Sequence, residues 1–218
     1  MTRCRPIVGA LVLLLAGCGN TPPAPDWQMN AKGAMERAQE AYLSGNARVE
    51  AAEFARARAE VARTGRADLL ARLELARCAT RVASLVLEPC SGFDALGQDA
   101  AAPERVYAGY LGGLAQPQDA AALPEQHRPF VVPAGNAAAS LQAMSDPLAR
   151  LVAAGVLLQT RRADPAVIAL AIDTASAQGW RRPLLAWLGV QLQRAESGGD
   201  SAGAAQIRRR MALVGESR

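Results

Sequence analysis

Apolar residues recur every three or four positions along most of this chain, which is the spacing of one face of an α-helix. The stretch 66–85 shows the pattern best, and its apolar stripe consists of Leu69, Leu73, Leu75, Cys78, Ala79, Val82 and Leu85. The stretches 30–45 and 47–63 have the same period and end at turns that contain glycine. The first helix is predicted to begin at Asn30, a residue type that favours helix N-caps. Three consecutive helices joined by short turns are expected to pack antiparallel.

Helix-start signals recur four times in the last third of the chain, each 18 residues after the one before. They stand at Asp146-Pro147, Asp164-Pro165, Arg182-Pro183 and Asp200-Ser201. An aspartate cap accepts hydrogen bonds from unpaired main-chain N–H groups, and a proline at the first helical position has no N–H group to leave unpaired. Four helices of about 15 residues with short turns are typical of an antiparallel helical array. No strand is expected between residues 146 and 214.

The middle of the chain has a weaker pattern. Pro89 ends the third helix, and the stretch 90–102 is expected to be a loop that contains a turn of helix. A further helix is predicted over 104–114, with Tyr107 and Tyr110 facing inward.

The stretch 115–134 is predicted to be an irregular connection. Four prolines interrupt it, at Pro117, Pro124, Pro129 and Pro133. It also contains the only histidine, His127, which is expected on the surface. Long connections without regular structure are where function or mobility is expected.

The first 17 residues have the pattern of a cleaved secretory signal, with basic residues, a short apolar run and small residues before the cut. The apolar run is far shorter than the ~20 residues that a membrane-spanning helix needs. Leu15-Ala16-Gly17-Cys18 resembles the bacterial lipobox. The resemblance implies that Cys18 becomes the N-terminus and carries a diacylglycerol on sulfur and an acyl chain on nitrogen. The alternative is an ordinary signal peptide cut nearby, which would leave Cys18 unmodified.

The residues after Cys18 concern where the protein is held. The resemblance to bacterial lipoproteins implies that an aspartate directly after the lipidated cysteine favours the inner membrane, and here that position is Gly19. It therefore implies an outer-membrane anchor facing the periplasm in a cell with two membranes, with the N-terminal lipid as the membrane contact. The stretch 18–29, which is rich in proline and small polar residues, is predicted to be a flexible tether. The helical domain is expected over 30–214.

Two units of the 18-residue period make 36 residues, close to the 34 of a tetratricopeptide repeat. The N-terminal helices resemble that family too, through Ala38, Tyr42, Gly45, Phe54 and Ala57. The resemblance implies an all-α fold in which antiparallel helical hairpins stack as a short α-solenoid. It also implies a scaffold or peptide-binding role, without naming any binding residue.

The charge balance excludes one class of partner. Removal of Arg3 and Arg5 with the signal leaves 22 of the 24 basic residues against 20 acidic ones, so the mature net charge is about +2. Nucleic acid is therefore not expected as a partner.

Two of the four cysteines can form a disulfide, because Cys4 leaves with the signal and Cys18 is predicted to carry lipid. Cys78 and Cys90 would face an oxidising compartment, which favours an intramolecular bridge. The alternative is a pair of buried free thiols. Two thiols and one histidine do not match an ordinary zinc site, and no metal or cofactor is expected.

No catalytic constellation is found, so the chain is expected not to be an enzyme. The preferred hypothesis is a helical scaffold that binds another envelope protein or peptide in a concave groove. The alternatives are a cell-wall-active enzyme or accessory factor that uses the loop around His127, and a structural homo-oligomer. A groove lined by arginine and tyrosine would favour binding, whereas a deep pocket holding His127 beside a carboxylate would favour catalysis. Trp180 and Trp187 are expected in the core, and Arg208-Arg209-Arg210 on a solvated helix face.

Overall fold

The computed structural model describes residues 23–132 and 135–216, and every regular element in these two stretches is a helix. The α-helices are α1 (Asp26–Leu43), α2 (Ala47–Ala62), α3 (Ala67–Ala83), α4 (Ser91–Asp94), α5 (Ala102–Leu111), α6 (Ala137–Gln142), α7 (Pro147–Gln159), α8 (Pro165–Ala177), α9 (Arg181–Ser197) and α10 (Ser201–Glu216). Two 3-10 helices, η1 (Pro117–Ala122) and η2 (Glu125–Phe130), lie between α5 and α6. The prediction of an all-α protein is confirmed. No helix in the described residues combines the length and apolar character needed to cross a membrane.

Helix α1 begins earlier than predicted. It starts at Asp26 rather than near Asn30, so residues 26–29 are helical and do not belong to the tether expected over 18–29. Pro25 has an extended backbone, with φ −56° and ψ 146°, and Asp26 places a carboxylate in the first turn. A negative charge there stabilises the positive end of the helix dipole, which explains the earlier start.

The helices of the last third begin where the 18-residue period predicts. Their first residues are Pro147, Pro165, Arg181 and Ser201. Aspartate side chains cap three of these helices, since Oδ1 of Asp146, Asp164 and Asp200 accepts a main-chain N–H at 2.8–2.9 Å. At the remaining helix, α9, Trp180 holds the N-cap position and no side chain forms a capping bond. The predicted starts are confirmed to within two residues, and the described residues from 146 to 214 contain no strand.

The centre of the core forms where α3 packs against α7. Gly155 of α7 permits a close approach, because a Cβ atom added to it would lie 2.5 Å from the carbonyl oxygen of Val82 on α3. The side chain of Trp187 on α9 is fully buried, and its Nε1 donates to the carbonyl oxygen of Ala83 at 3.3 Å. Trp180 is buried as well, so both tryptophans are core residues, as predicted.

Helices α1 and α9 also meet, although they are distant in the sequence. Nε1 of Trp180 donates to Oε2 of Glu40 at 3.1 Å. Nε of Arg182 donates to the carbonyl oxygen of Tyr42 at 2.7 Å, and the guanidinium lies 4.3 Å from the centroid of the Tyr42 ring. The helices therefore do not form a simple row in which each one contacts only its neighbours in sequence.

The connection between α5 and α6 is more ordered than predicted. The 3-10 helices η1 and η2 occupy most of the stretch 115–134, and they bury His127 and Phe130. The expectation that His127 lies on the surface is wrong, because only 2% of the residue is exposed. The cause is aromatic packing, since its ring lies against the rings of Tyr107 and Tyr110 on α5.

Candidate functional site

A groove runs along α3 and consists of two pockets that meet at Arg72 and Ala76. The α1 pocket lies between α1 and α3 and has a volume of about 410 Å³. Its apolar lining includes Trp27, Ala31, Met35, Val61, Leu69 and Leu73. The Tyr107 pocket lies between α3, α5 and the connection, and has a volume of about 460 Å³. Its apolar lining includes Leu75, Pro103, Tyr107, Ala121, Ala122 and Leu123. Because Arg72 and Ala76 line both pockets, the two form one surface, the α3 groove.

The sequence of α3 builds this groove from side chains that are about one helical turn apart. Leu69, Leu73 and Ala76 follow one another along the helix, and all three remain partly exposed. Ala31 and Met35 line the same pocket from α1. Ala76 lines both pockets with a small side chain.

An ion pair forms a polar ridge where the pockets meet. Nε and Nη2 of Arg72 both donate to Oε1 of Glu104, at 3.0 and 2.6 Å. The Glu104 side chain is only 14% exposed, whereas that of Arg72 is 66% exposed. The second carboxylate oxygen of Glu104, Oε2, is buried and has no hydrogen-bond partner among the described residues. The pair joins α3 to α5 and places charge between two apolar surfaces.

A second arginine, Arg128, lines the Tyr107 pocket from η2. Its Nε donates to the carbonyl oxygen of Leu123 at 3.0 Å, and its Nη2 lies 3.5 Å from the carbonyl oxygen of Ala121. The main chain therefore holds the guanidinium in one orientation. Within residues 23–132 and 135–216, no carboxylate forms a salt bridge with Arg128.

Three aromatic rings support the Tyr107 pocket from the inside. The ring centroids of Tyr107, Tyr110 and His127 are 5.0–5.9 Å apart. Burial lowers the pKa of His127 to about 4, and the negative charge of Asp146 opposes this shift. Burial also raises the pKa of both tyrosines. His127 is therefore neutral at pH 7, and neither its Nδ1 nor the Tyr110 hydroxyl has a hydrogen-bond partner in the described chain.

This ring cluster is a poor arrangement for acid–base catalysis. A general base is most effective when its pKa lies near the working pH, and burial takes the pKa of His127 well below neutrality. The side chains that line the Tyr107 pocket include Tyr107 but not His127. The cluster instead gives the pocket a rigid aromatic floor, because aromatic rings at these distances pack favourably.

The two cysteines of the helical domain are joined by a disulfide. Cys78 lies on α3 and Cys90 lies just before α4, and their Cα atoms are 5.7 Å apart. Helix α3 ends well before Cys90, as the bridge requires. The bridge borders a smaller cavity of about 180 Å³ that Arg77 and Arg81 also line. Cys18, the predicted lipidation site, lies outside the described residues, as does the rest of the lipobox.

The other groups of polar residues that the sequence analysis considered do not form a site. No group of three histidine, cysteine, aspartate or glutamate residues that could hold a metal ion occurs in the described parts of the chain. Arg208, Arg209 and Arg210 are exposed on α10, which confirms the prediction of a solvated face. Asp200 caps that helix through the N–H of Gly203.

Comparisons with known proteins add no family. The sequence matches no protein-family model and no curated protein, and the structure matches no solved structure. The features that bear on function are therefore the lipid anchor that the sequence predicts at Cys18 and the α3 groove.

Sequence reasoning did not single out Arg72, Glu104 or Arg128. Arginine is common in this chain, so one arginine among many carries little information. One signal was available for Arg72, which follows Leu69 by three residues and precedes Ala76 by four. Residues at these spacings share a helix face, so a charge stands there within an apolar stripe.

Proposed function

We propose that this protein is a lipoprotein scaffold of the cell envelope, anchored in the outer membrane through Cys18, that binds a segment of another envelope protein in the α3 groove. The observation that carries the proposal is the groove itself. It is an open apolar surface with the Arg72–Glu104 ion pair across its middle, Arg128 at its margin and Tyr107 in its floor. Exposed apolar surfaces with polar rims are typical of sites that bind proteins or peptides.

The arrangement of the helices supports a more specific proposal for the scaffold. We infer that the helices derive from stacked hairpins, as in a tetratricopeptide-like α-solenoid. The 18-residue period supports this inference, as do the contacts between consecutive helices in the pairs α1–α2, α8–α9 and α9–α10. The contact between α1 and α9 would make such an array more closed than an open row of hairpins.

The proposed anchor would hold the groove near the bilayer. Asp26, the first residue of α1, follows Cys18 by eight positions, and eight extended residues span at most ~29 Å. Trp27, the next residue, lines the α1 pocket. A partner bound there would lie close to the membrane surface, where the periplasmic segments of membrane proteins are found.

The alternative of a cell-wall-active enzyme that uses His127 gains no support from the contacts of this residue. The imidazole is buried and neutral, and it packs against two tyrosine rings. The carboxylate whose charge acts on the imidazole is that of Asp146. It accepts a hydrogen bond from the N–H of Leu148 and so caps α7.

The groove is tested by photo-crosslinking in intact envelopes. The full-length lipoprotein carries a photoreactive amino acid in place of Ala121, an exposed alanine that lines the Tyr107 pocket, or in place of Ala55, an exposed alanine on α2. We expect a discrete crosslinked partner from position 121 that position 55 does not yield. The same products from both positions would contradict the proposal, and a crosslink between two copies of this chain would instead support a homo-oligomer.

The proposed lipid anchor is tested separately by the substitution Cys18→Ser. We expect the variant to leave the membrane fraction and to lack the mass of the acyl chains. A variant that stays in the membrane with unchanged mass would contradict the anchor, but it would not affect the groove.

A further inference from the structure

We propose that the α3 groove selects an extended peptide segment with two apolar side chains, one for each pocket, and an acidic side chain that pairs with Arg128. This inference rests on the proposed function and adds the chemistry of the partner. It follows from the division of the groove by the Arg72–Glu104 ridge and from the charges along its rim.

The division into two pockets favours a peptide over a hydrocarbon chain. An acyl chain lying along the whole groove would cover the Arg72–Glu104 ion pair and remove its water without offering a hydrogen bond in return. An extended peptide can place one apolar side chain in each pocket and cross the ridge with its polar main chain. Its C=O groups can then accept hydrogen bonds from the guanidinium of Arg72, whose side chain is 66% exposed.

The charges along the groove indicate the sign of the partner. Among the residues that line the two pockets, Lys32 pairs with Glu36 at 3.8 Å, and Arg72 pairs with Glu104. Arg128 is the lining cation for which the described residues provide no carboxylate. The groove thus has an excess positive charge at the Tyr107 pocket, which complements an acidic side chain.

The geometry of Arg128 strengthens this assignment. Its Nε bond to the carbonyl oxygen of Leu123 fixes the guanidinium beside the pocket, so little side-chain freedom is lost when a carboxylate binds. A charge-assisted hydrogen bond at an exposed site of this kind changes affinity by up to about fivefold.

The test measures the binding of fluorescein-labelled synthetic peptides by the full-length lipoprotein in phosphatidylcholine nanodiscs. Each peptide is capped at both ends and contains two leucines separated by one to four residues, followed by glutamate, glutamine or lysine. Empty nanodiscs correct for partitioning into lipid. With the best leucine spacing, we expect the glutamate peptide to bind about fivefold tighter than the glutamine peptide, and the lysine peptide to bind most weakly.

Variants then identify the residue responsible. Arg128→Gln should remove the preference for glutamate while leaving the binding of the leucines, and Arg128→Glu should favour the lysine peptide. Arg209→Gln, at an exposed arginine on α10, is the matched control and should change nothing. Thermal melts followed by circular dichroism confirm that each variant is folded.

The outcomes separate the two levels of the proposal. Equal affinity for the glutamate and glutamine peptides, or a preference that survives Arg128→Gln, would overturn the assignment of an acidic partner and leave the groove as a peptide site. No binding at any leucine spacing, or binding unaffected by Ala76→Glu, would contradict the groove function itself. Displacement of the peptide by dodecanoate at lower concentration than by unlabelled peptide would assign the groove to hydrocarbon chains and overturn the inference.

Discussion

The array α7–α10 and the segment from α4 to α6 differ in the origin of their structure. In the array, three helix starts are held by aspartate caps whose hydrogen bonds reach only two or three residues along the chain. In the segment, the anchoring bonds are distant. Nε2 of Gln159 donates to the carbonyl oxygen of Gly112, 47 residues away, and Arg162 donates to the carbonyl oxygen of Phe130, 32 residues away. Local signals thus set three of the four helix starts in the array, whereas long-range contacts with the array shape the segment that forms one wall of the Tyr107 pocket.

The largest expected effect comes from opening the core on which both regions depend. Trp187 is fully buried and donates to the carbonyl oxygen of Ala83. Trp187→Ala removes a large buried ring and leaves that carbonyl without its side-chain donor, so we expect the free energy of unfolding to fall by about 3–5 kcal/mol. Urea denaturation followed by circular dichroism measures the loss.

The matched control is Trp27→Ala, at a partly exposed tryptophan in the α1 pocket. We expect it to lower the free energy of unfolding by only about 1 kcal/mol, because the ring is not enclosed. Equal losses in the two variants would show that the core does not depend on the array.

The helix starts of α7–α10 were predicted correctly because their signals are complete within a few residues. Asp146 and Asp164 cap their own helices, and the prolines that follow them need no distant partner. The start of α1 was predicted too late because the apolar period begins after Asn30, whereas the first turn at Asp26 is held by charge rather than by burial.

The second prediction concerns pH and the segment. Burial keeps His127 neutral and lowers its pKa to about 4, from about 6.5 in an unfolded chain. The contribution of the neutral His127 to the free energy of unfolding is therefore complete above pH 6.5. It is lost as the pH falls from 6.5 towards 4, because the unfolded chain gains a proton first. The expected loss over this range is about 3 kcal/mol.

The substitution His127→Phe isolates this effect from the titration of the other groups in the protein. Urea denaturation between pH 4 and pH 7 should show that the wild-type protein loses more stability on acidification than the variant does. Parallel pH profiles for the two proteins would mean that His127 does not carry the dependence.

The third prediction tests how the segment is tied to α3. The Cys78–Cys90 bridge closes a loop over a sequence separation of 12 residues, for which the expected stabilisation is about 2–3 kcal/mol. Cys90→Ser should lower the free energy of unfolding by that amount. For the unsubstituted protein, alkylation in the unfolded, unreduced state followed by intact-mass analysis should find no alkyl group on Cys78 or Cys90. Two added groups would show that these thiols are free.

The candidate site was less predictable than the fold. Tyr107 was expected to face inward, because it lies in the apolar face of a helix, and it does form the pocket floor. The burial of His127 depends on two tyrosines that lie about 17–20 positions earlier, and no local pattern announces such packing. The role of Arg128 depends on the carbonyl groups of Ala121 in η1 and of Leu123 just after it, which reach their positions beside Arg128 only when the segment folds.

The smallest expected effect compares one helix cap from each region. Oδ1 of Asp164 accepts from the N–H of Val167 at 2.8 Å in the array, and Oδ1 of Asn136 accepts from the N–H of Ala139 at 3.2 Å in the segment. Asp164→Ala should lower the free energy of global unfolding by about 1 kcal/mol, because α8 lies in the core and cannot unfold alone. Asp164→Asn should lose only a few tenths of that, since its amide oxygen can still accept the bond.

Helix α6 has only six residues and can open locally, so Asn136→Ala should speed hydrogen exchange in α6 while leaving global stability almost unchanged. Hydrogen exchange followed by mass spectrometry distinguishes the two cases. Equal global losses for Asp164→Ala and Asn136→Ala would contradict the difference between the regions, because the short helix of the segment would then unfold only together with the array.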